Sequence, residues 1–249
     1  MENNATTVLL STTYFGPVQW YQKLCRYDRA LIERHDTYRK QTYRNRCVIA
    51  TAAGTQTLTV PVERGGGAER LLTKDVRISD HGNWRRLHWH ALESAYSESP
   101  FFDYYADDLR PFFERRWEFL YDFNAETCAT VCALLDIRPD IRGTEEYVKA
   151  PLLSPPWGEE DAPPPRPATR LAQERAGASC RMASSPHGGD KREASDFRDA
   201  IDPKHPAPDP EFVPRPYYQV FGRRHGFQPN LSILDLLFNM GPEGIFWLL

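Results

Sequence analysis

Fourteen of the chain's twenty-one prolines fall between residues 151 and 216, including Pro163-Pro164-Pro165. Almost no periodic apolar pattern survives in that stretch. Such a segment buries too little surface to offset the entropy of ordering it, so it reads as a disordered insert. The chain therefore divides into a main α/β core at 1–150, a disordered Pro-rich insert at 151–213, and a segment at 214–249 that packs back on the core. On composition alone, deleting residues 155–210 is expected to leave the fold intact.

The first third reads as short strands with one early helix. Val8-Leu9-Leu10-Ser11-Thr12 is an apolar β-type run, and Pro17 suits the first turn of a helix over residues 17–26. Ala30-Leu31-Ile32 is the next apolar run, so the order is strand, helix, strand. That order predicts a βαβ unit with a parallel first pair. Further strands are expected at Cys47-Val48-Ile49-Ala50, Leu58-Thr59-Val60-Pro61-Val62 and Asp75-Val76-Arg77-Ile78, separated by turn-like glycine segments.

From residue 83 the period changes. Trp84, Leu87, His88, Ala91, Leu92 and Ala95 follow the spacing of an amphipathic helix. Pro100 ends it. A second helix is expected over 101–109, a third opening at Pro111 and continuing through Leu120, and a fourth capped by Asn124 and running to Leu135. The tail Ser232-Ile233-Leu234-Asp235-Leu236-Leu237-Phe238 reads as a closing helix whose apolar face needs the core as its partner. The fold class is thus α/β or α+β: an N-terminal mixed sheet begun by a βαβ unit, a helical half, the long disordered insert, and a C-terminal helix.

A net charge of -3 gives no global attraction to nucleic acid or to an anionic membrane. No apolar run approaches the about 20 residues that span a bilayer. The start is polar with no basic region, so a cytoplasmic protein is expected. Five cysteines without framework spacing read as buried thiols, and no metal site is expected.

Chemistry concentrates in Asp80-His81-Gly82-Asn83-Trp84-Arg85-Arg86-Leu87-His88-Trp89-His90, which holds three of the seven histidines. His88 and His90 sit about 200° apart around a helix axis, so they cannot share one site. His88 falls on the apolar stripe, as a satisfied core histidine or as a general acid/base tuned by partial burial. His81 shares its face if helix extends back that far. In Tyr38-Arg39-Lys40-Gln41-Thr42-Tyr43-Arg44-Asn45-Arg46, extended backbone would put Lys40, Arg44 and Arg46 on one face. That face suits a phosphate, or else it is a solvated edge strand. Tyr14 through Gln19 lie where the first strand hands over to its helix, as a site wall or a plain turn. Arg224, His225 and Asn230 form a second polar cluster, in which Asn230 serves as a cap or part of a site.

Several of these pieces together resemble the WbqC-like proteins of bacteria. They are Leu10-Ser11-Thr12-Thr13-Tyr14-Phe15-Gly16-Pro17-Val18-Gln19, the Tyr38 to Arg46 segment quoted above, Leu58-Thr59-Val60-Pro61-Val62, Asp80-His81-Gly82-Asn83-Trp84, Ser94-Ala95-Tyr96 with Pro100-Phe101-Phe102-Asp103-Tyr104-Tyr105, and Arg224-His225-Gly226-Phe227-Gln228-Pro229-Asn230-Leu231-Ser232. The likeness covers residues 8–137 and 216–243. Gly16 stands where the family often has Pro, and His90 where it often has Asn. The resemblance implies a place in surface-polysaccharide synthesis and chemistry on a small-molecule sugar nucleotide or acyl donor. The expectation is a transferase moving an acyl or aminoacyl group onto an amino sugar nucleotide. In that scheme His88, with His81 beside it, is the base. Asn45 supports an oxyanion, and Lys40, Arg44, Arg46, Tyr14, Gln19, Arg224, His225 and Asn230 bind substrate. The alternative is a non-catalytic partner or scaffold of a glycan-synthesis or membrane assembly. The cofactor is unknown.

Overall fold

A computed structural model describes residues 6–63, 71–149 and 194–249. The expected βαβ unit opens it: β1 (Thr7–Ser11), α1 (Val18–Arg26) and β2 (Arg29–Glu33). The two strands pair in parallel, with Leu9 opposite Leu31. Burial on both faces explains the unbroken apolar run Val8-Leu9-Leu10, all fully buried. β3 (Arg46–Thr51) and β4 (Gly54–Thr59) form a separate antiparallel hairpin, turned through Gly54 at φ 116. Asp75-Val76-Arg77-Ile78 is not a strand. Residues Thr73–Asp75 make a 3-10 turn, and only isolated bridges follow, Val62 with Ile78 and Arg77 with Phe119.

The helical half comprises α2 (Trp84–Tyr96), α3 (Phe102–Leu109), α4 (Pro111–Glu114) and α5 (Leu120–Leu134). The helix at Pro111 stops after one turn, because Arg115 is extended. α5 begins four residues before Asn124, which therefore is not its cap. Its side-chain Nδ2 donates instead to the Arg44 carbonyl at 2.8 Å. A tertiary partner has replaced the local one that residue type suggests.

β5 (Asp140–Gly143) and β6 (Ala194–Asp196) complete a parallel sheet in the order β5-β2-β1-β6. β6 falls inside the stretch expected to be disordered. Residues 194–213 pack against the core, so the insert is narrower than 151–213, and its remainder, 151–193, lies outside the described residues. The reason is electrostatic as well as apolar. Phe197 is fully buried, and the α1 residue Lys23, also fully buried, pairs with Asp209 and Glu211 at 2.9 Å. Proline content hid these anchors. Deleting residues 155–210 would remove both a sheet strand and Asp209, one of the two partners of a buried cation.

After α6 (Gly222–His225), the closing helix α7 (Ile233–Met240) is capped by Ser232, whose hydroxyl accepts from the Leu234 N–H at 3.3 Å. α7 contacts α1, α3 and β3 and is buried on every side. Its one carboxylate, Asp235, accepts from Tyr96, Tyr217 and Gln219 at 2.7–2.9 Å. Burial holds that carboxyl above the usual range despite these three donors.

Candidate functional site

Successive strand connections run from β1 to β2 on one side, while β6 lies on the other side of β1. In open parallel sheets the crevice at the carboxyl ends beside such a reversal is where ligands bind. Here residues at and just past those strand ends (Ser11-Thr12-Thr13, His35-Asp36, and Asp196 to Arg198) border a cavity of about 650 Å³ and its narrow extension. His35, Asp36, Arg39, Arg44, Asp196 and Arg198 line the cavity. The extension shares Arg44 and Arg198 with it, and shares Thr12, Thr13 and Trp20 with a second cavity of about 240 Å³ beside α5.

The charges here are held in fixed positions. Arg44, 3% exposed, donates to Ser11 Oγ at 2.9 Å and pairs with Asp36, which also accepts from the Thr73 hydroxyl. Glu33, fully buried, accepts from the His35 and Val148 amides, from Thr144 Oγ1 and from Arg198. Arg198 also clasps Asp196 at 2.7 Å. Burial is the largest single influence on Arg198 and works against its charge, but hydrogen bonding to Asp196 together with the negative groups around it outweighs burial and raises the guanidinium pKa. Arg39 differs, because its pair with Asp199 is exposed on both sides and contributes little.

Three buried polar atoms along this band lack a partner among the described residues: Arg44 Nε, Thr13 Oγ1 and Asn124 Oδ1. An unpaired buried polar group costs about 1–3 kcal/mol, so a ligand that satisfies several is favoured. Gly16 permits the arrangement, since a Cβ there would stand 2.4 Å from Thr13 Oγ1.

His35 is the histidine that borders the larger cavity. Its Nε2 lies 3.1 Å from the Thr144 carbonyl, which can only accept, so Nε2 carries the proton. The 3.3 Å approach of Arg34 Nε to the same nitrogen is secondary, because that N–H already donates to Thr144 O at 2.7 Å. Nδ1 is left as the basic nitrogen.

Of the residues singled out in the sequence, the structure brings Arg44 to this cleft. His88 sits in the core, with Nδ1 2.9 Å from the Tyr14 hydroxyl. Burial lowers its pKa to about 4, against a weaker opposing bond to the Thr59 backbone, so it is neutral at pH 7. Tyr14 is itself fully buried, and burial raises its pKa. His81 is exposed in a 3-10 turn ahead of α2. Lys40 is exposed, Arg46 is half-buried, and Asn45 is buried with Nδ2 donating to the Val60 carbonyl. The alternation expected of Lys40, Arg44 and Arg46 fails because the chain turns between them, with Gln41 at φ 65. Gln19 and Asn230 bind each other through two 3.0 Å bonds, tying α1 to the segment before α7. Arg224 is exposed, and His225 meets the Ala52 carbonyl at the hairpin turn.

Reading by motif missed Glu33, His35, Asp36, Asn124, Asp196 and Arg198. One signal was available: Glu33-Arg34-His35-Asp36 is an abrupt polar run straight after an apolar strand. Nothing local marks Asn124 or Arg198.

His88 has a consequence for stability. Its folded pKa lies below the unfolded value of 6.5, so the unfolded chain takes up the proton first as pH falls. Stability is fully present above pH 6.5 and is lost toward pH 4, by about 3 kcal/mol across the window. Urea denaturation of wild type and His88→Gln at pH 7 and pH 4.5 checks this. The variant should show the shallower pH dependence, and parallel curves would contradict the assignment. Comparing the two proteins cancels the opposing trend from Asp235.

The chain matches the WbqC-like protein family over residues 12–246. It is 30% identical over 217 residues to the uncharacterized protein Rv1507c of Mycobacterium tuberculosis, an alignment covering 87% of this chain and 85% of the mycobacterial protein. No solved structure matches it.

Proposed function

This chain belongs to the WbqC-like protein family, and on that premise we propose a transferase of surface-glycan synthesis. It moves an acyl or aminoacyl group onto the amine of a sugar nucleotide held at the carboxyl ends of β1, β2 and β6. The observation that carries this reading is the cleft at the strand reversal, with Arg39, Arg44 and Arg198 on one cavity and unpaired Arg44 Nε, Thr13 Oγ1 and Asn124 Oδ1 beside it. Fixed guanidinium groups suit phosphate oxygens. Arg39 can exchange its exposed carboxylate for a phosphate at little cost.

In this scheme His35, not the buried His88, is the base. The sugar amine attacks the acyl carbonyl carbon, forming the new C–N bond. His35 Nδ1 takes the proton from that nitrogen, the bond from acyl carbon to donor breaks, and the proton passes to the departing group. Asp36 holds Arg44 in place for the phosphate.

The test is a mass measurement. Amino sugar nucleotides are incubated with the protein and with acyl or aminoacyl thioester donors. The sugar nucleotide should gain the mass of the transferred group, and His35→Asn should slow the gain by about 10²–10⁴-fold. No mass gain, together with no ligand-induced shift in melting temperature, would overturn the reading and favour a non-catalytic partner of a glycan assembly.

A further inference from the structure

We propose that the smaller cavity is the base subsite of a nucleoside diphosphate whose phosphates lie among the arginines of the larger one. The inference rests on the sugar-nucleotide reading above and adds where, and by what chemistry, the nucleotide is recognised.

The cavity of about 240 Å³ lies between α5 and the ends of β1 and β2, walled by Trp20, Ile32, Tyr121 and Cys128. Two of its polar residues carry unsatisfied atoms. Thr13 and Asn124 are 6% and 1% exposed, and neither Thr13 Oγ1 nor Asn124 Oδ1 has a partner among the described residues. Asn124 Nδ2 already donates one N–H to the Arg44 carbonyl, whereas its Oδ1 acceptor is the atom left without any partner. The Thr13 hydroxyl can donate or accept.

That inventory selects the occupant. A phosphate or carboxylate would bring acceptor oxygens against the Asn124 carbonyl oxygen, which needs a donor. An aliphatic acyl chain would leave both polar atoms unpaired, at about 1–3 kcal/mol each. A neutral flat ring with an N–H beside a ring acceptor satisfies both atoms and fills an aromatic-walled space, and a nucleobase edge has that pattern. The layout of the cleft agrees with the connectivity of a nucleotide. Thr12, Thr13 and Trp20 border both the small cavity and the neck, while Arg44 and Arg198 border both the neck and the large cavity. That shared space is only about 10 Å³, with the half-buried Tyr43 and Asp202 among its lining residues, so seating a ribose there requires lining side chains to move.

Ala125 gives a clean probe, because it borders the small cavity and is exposed on α5. Ala125→Trp fills the space without disturbing the core, which an unchanged melting temperature verifies. Calorimetric titrations of the full chain would use UDP, dTDP, CDP, ADP and GDP, with inorganic pyrophosphate as the base-free probe. At least one nucleotide should bind wild type about tenfold or more tighter than pyrophosphate does. Ala125→Trp should abolish that advantage and leave pyrophosphate affinity unchanged. If every nucleotide binds no tighter than pyrophosphate, or if Ala125→Trp leaves nucleotide affinity intact, the base lies elsewhere and this inference fails while phosphate recognition stands. If neither nucleotide nor pyrophosphate binds, the sugar-nucleotide reading fails with it.

Discussion

Lys23→Met is expected to lower stability by about 3–5 kcal/mol, the usual cost of breaking a buried ion pair by removing one partner. Lys23 Nζ is fully buried. It bonds Asp209 and Glu211 at 2.9–3.0 Å and lies 4.2 Å from the centre of the Phe197 ring. Asp209, only 3% exposed, would be left with the Gln19 amide at 2.7 Å as its remaining side-chain donor. Adding Asp209→Leu to Lys23→Met should recover part of the loss, because the uncompensated charge is then gone. Urea denaturation midpoints decide it. A midpoint unchanged in Lys23→Met would show that residues 209–211 do not hold onto α1.

Leu237→Ala is expected to cost about 2–5 kcal/mol, the range for a leucine truncated in a close-packed core. Leu237 is fully buried in a helix that touches α1, α3 and β3, so the lost volume has no surface through which to collapse. Leu87→Ala is the control. That leucine is 62% exposed on α2, and its loss should change stability by no more than about 0.5 kcal/mol. Equal effects from the two substitutions would place α7 outside the core.

The elements that sequence made legible are those whose signal is local. The run Val8-Leu9-Leu10, then Pro17, then Ala30-Leu31-Ile32 carries the βαβ unit, because strand burial and helix entry leave marks on neighbouring residues. The apolar closing helix announced its need for a partner in the same way. β6 was hidden, since three residues within a proline-rich stretch have no period to read, and the bonds that fix the chain there reach back 185 residues or more to α1. The site was legible in one residue, Arg44, for a related reason. His88 carries the right chemistry on an apolar stripe, and that stripe turns it inward onto Tyr14. Asn124 looked like a helix cap, but it faces the Arg44 carbonyl from inside α5. Clefts at strand ends are assembled from segments distant in sequence, so they leave no spacing to find.

The central claim is that ligand chemistry belongs to the crevice between the carboxyl ends of β1 and β6. A crystal structure of the chain soaked with a saturating UDP-linked amino sugar tests it most directly. The account predicts diphosphate density in contact with Arg44 and Arg198, the base against Asn124, and the sugar amine within hydrogen-bond reach of His35 Nδ1. Density instead beside His81 or His225, or an unchanged crevice at saturating ligand, would contradict it.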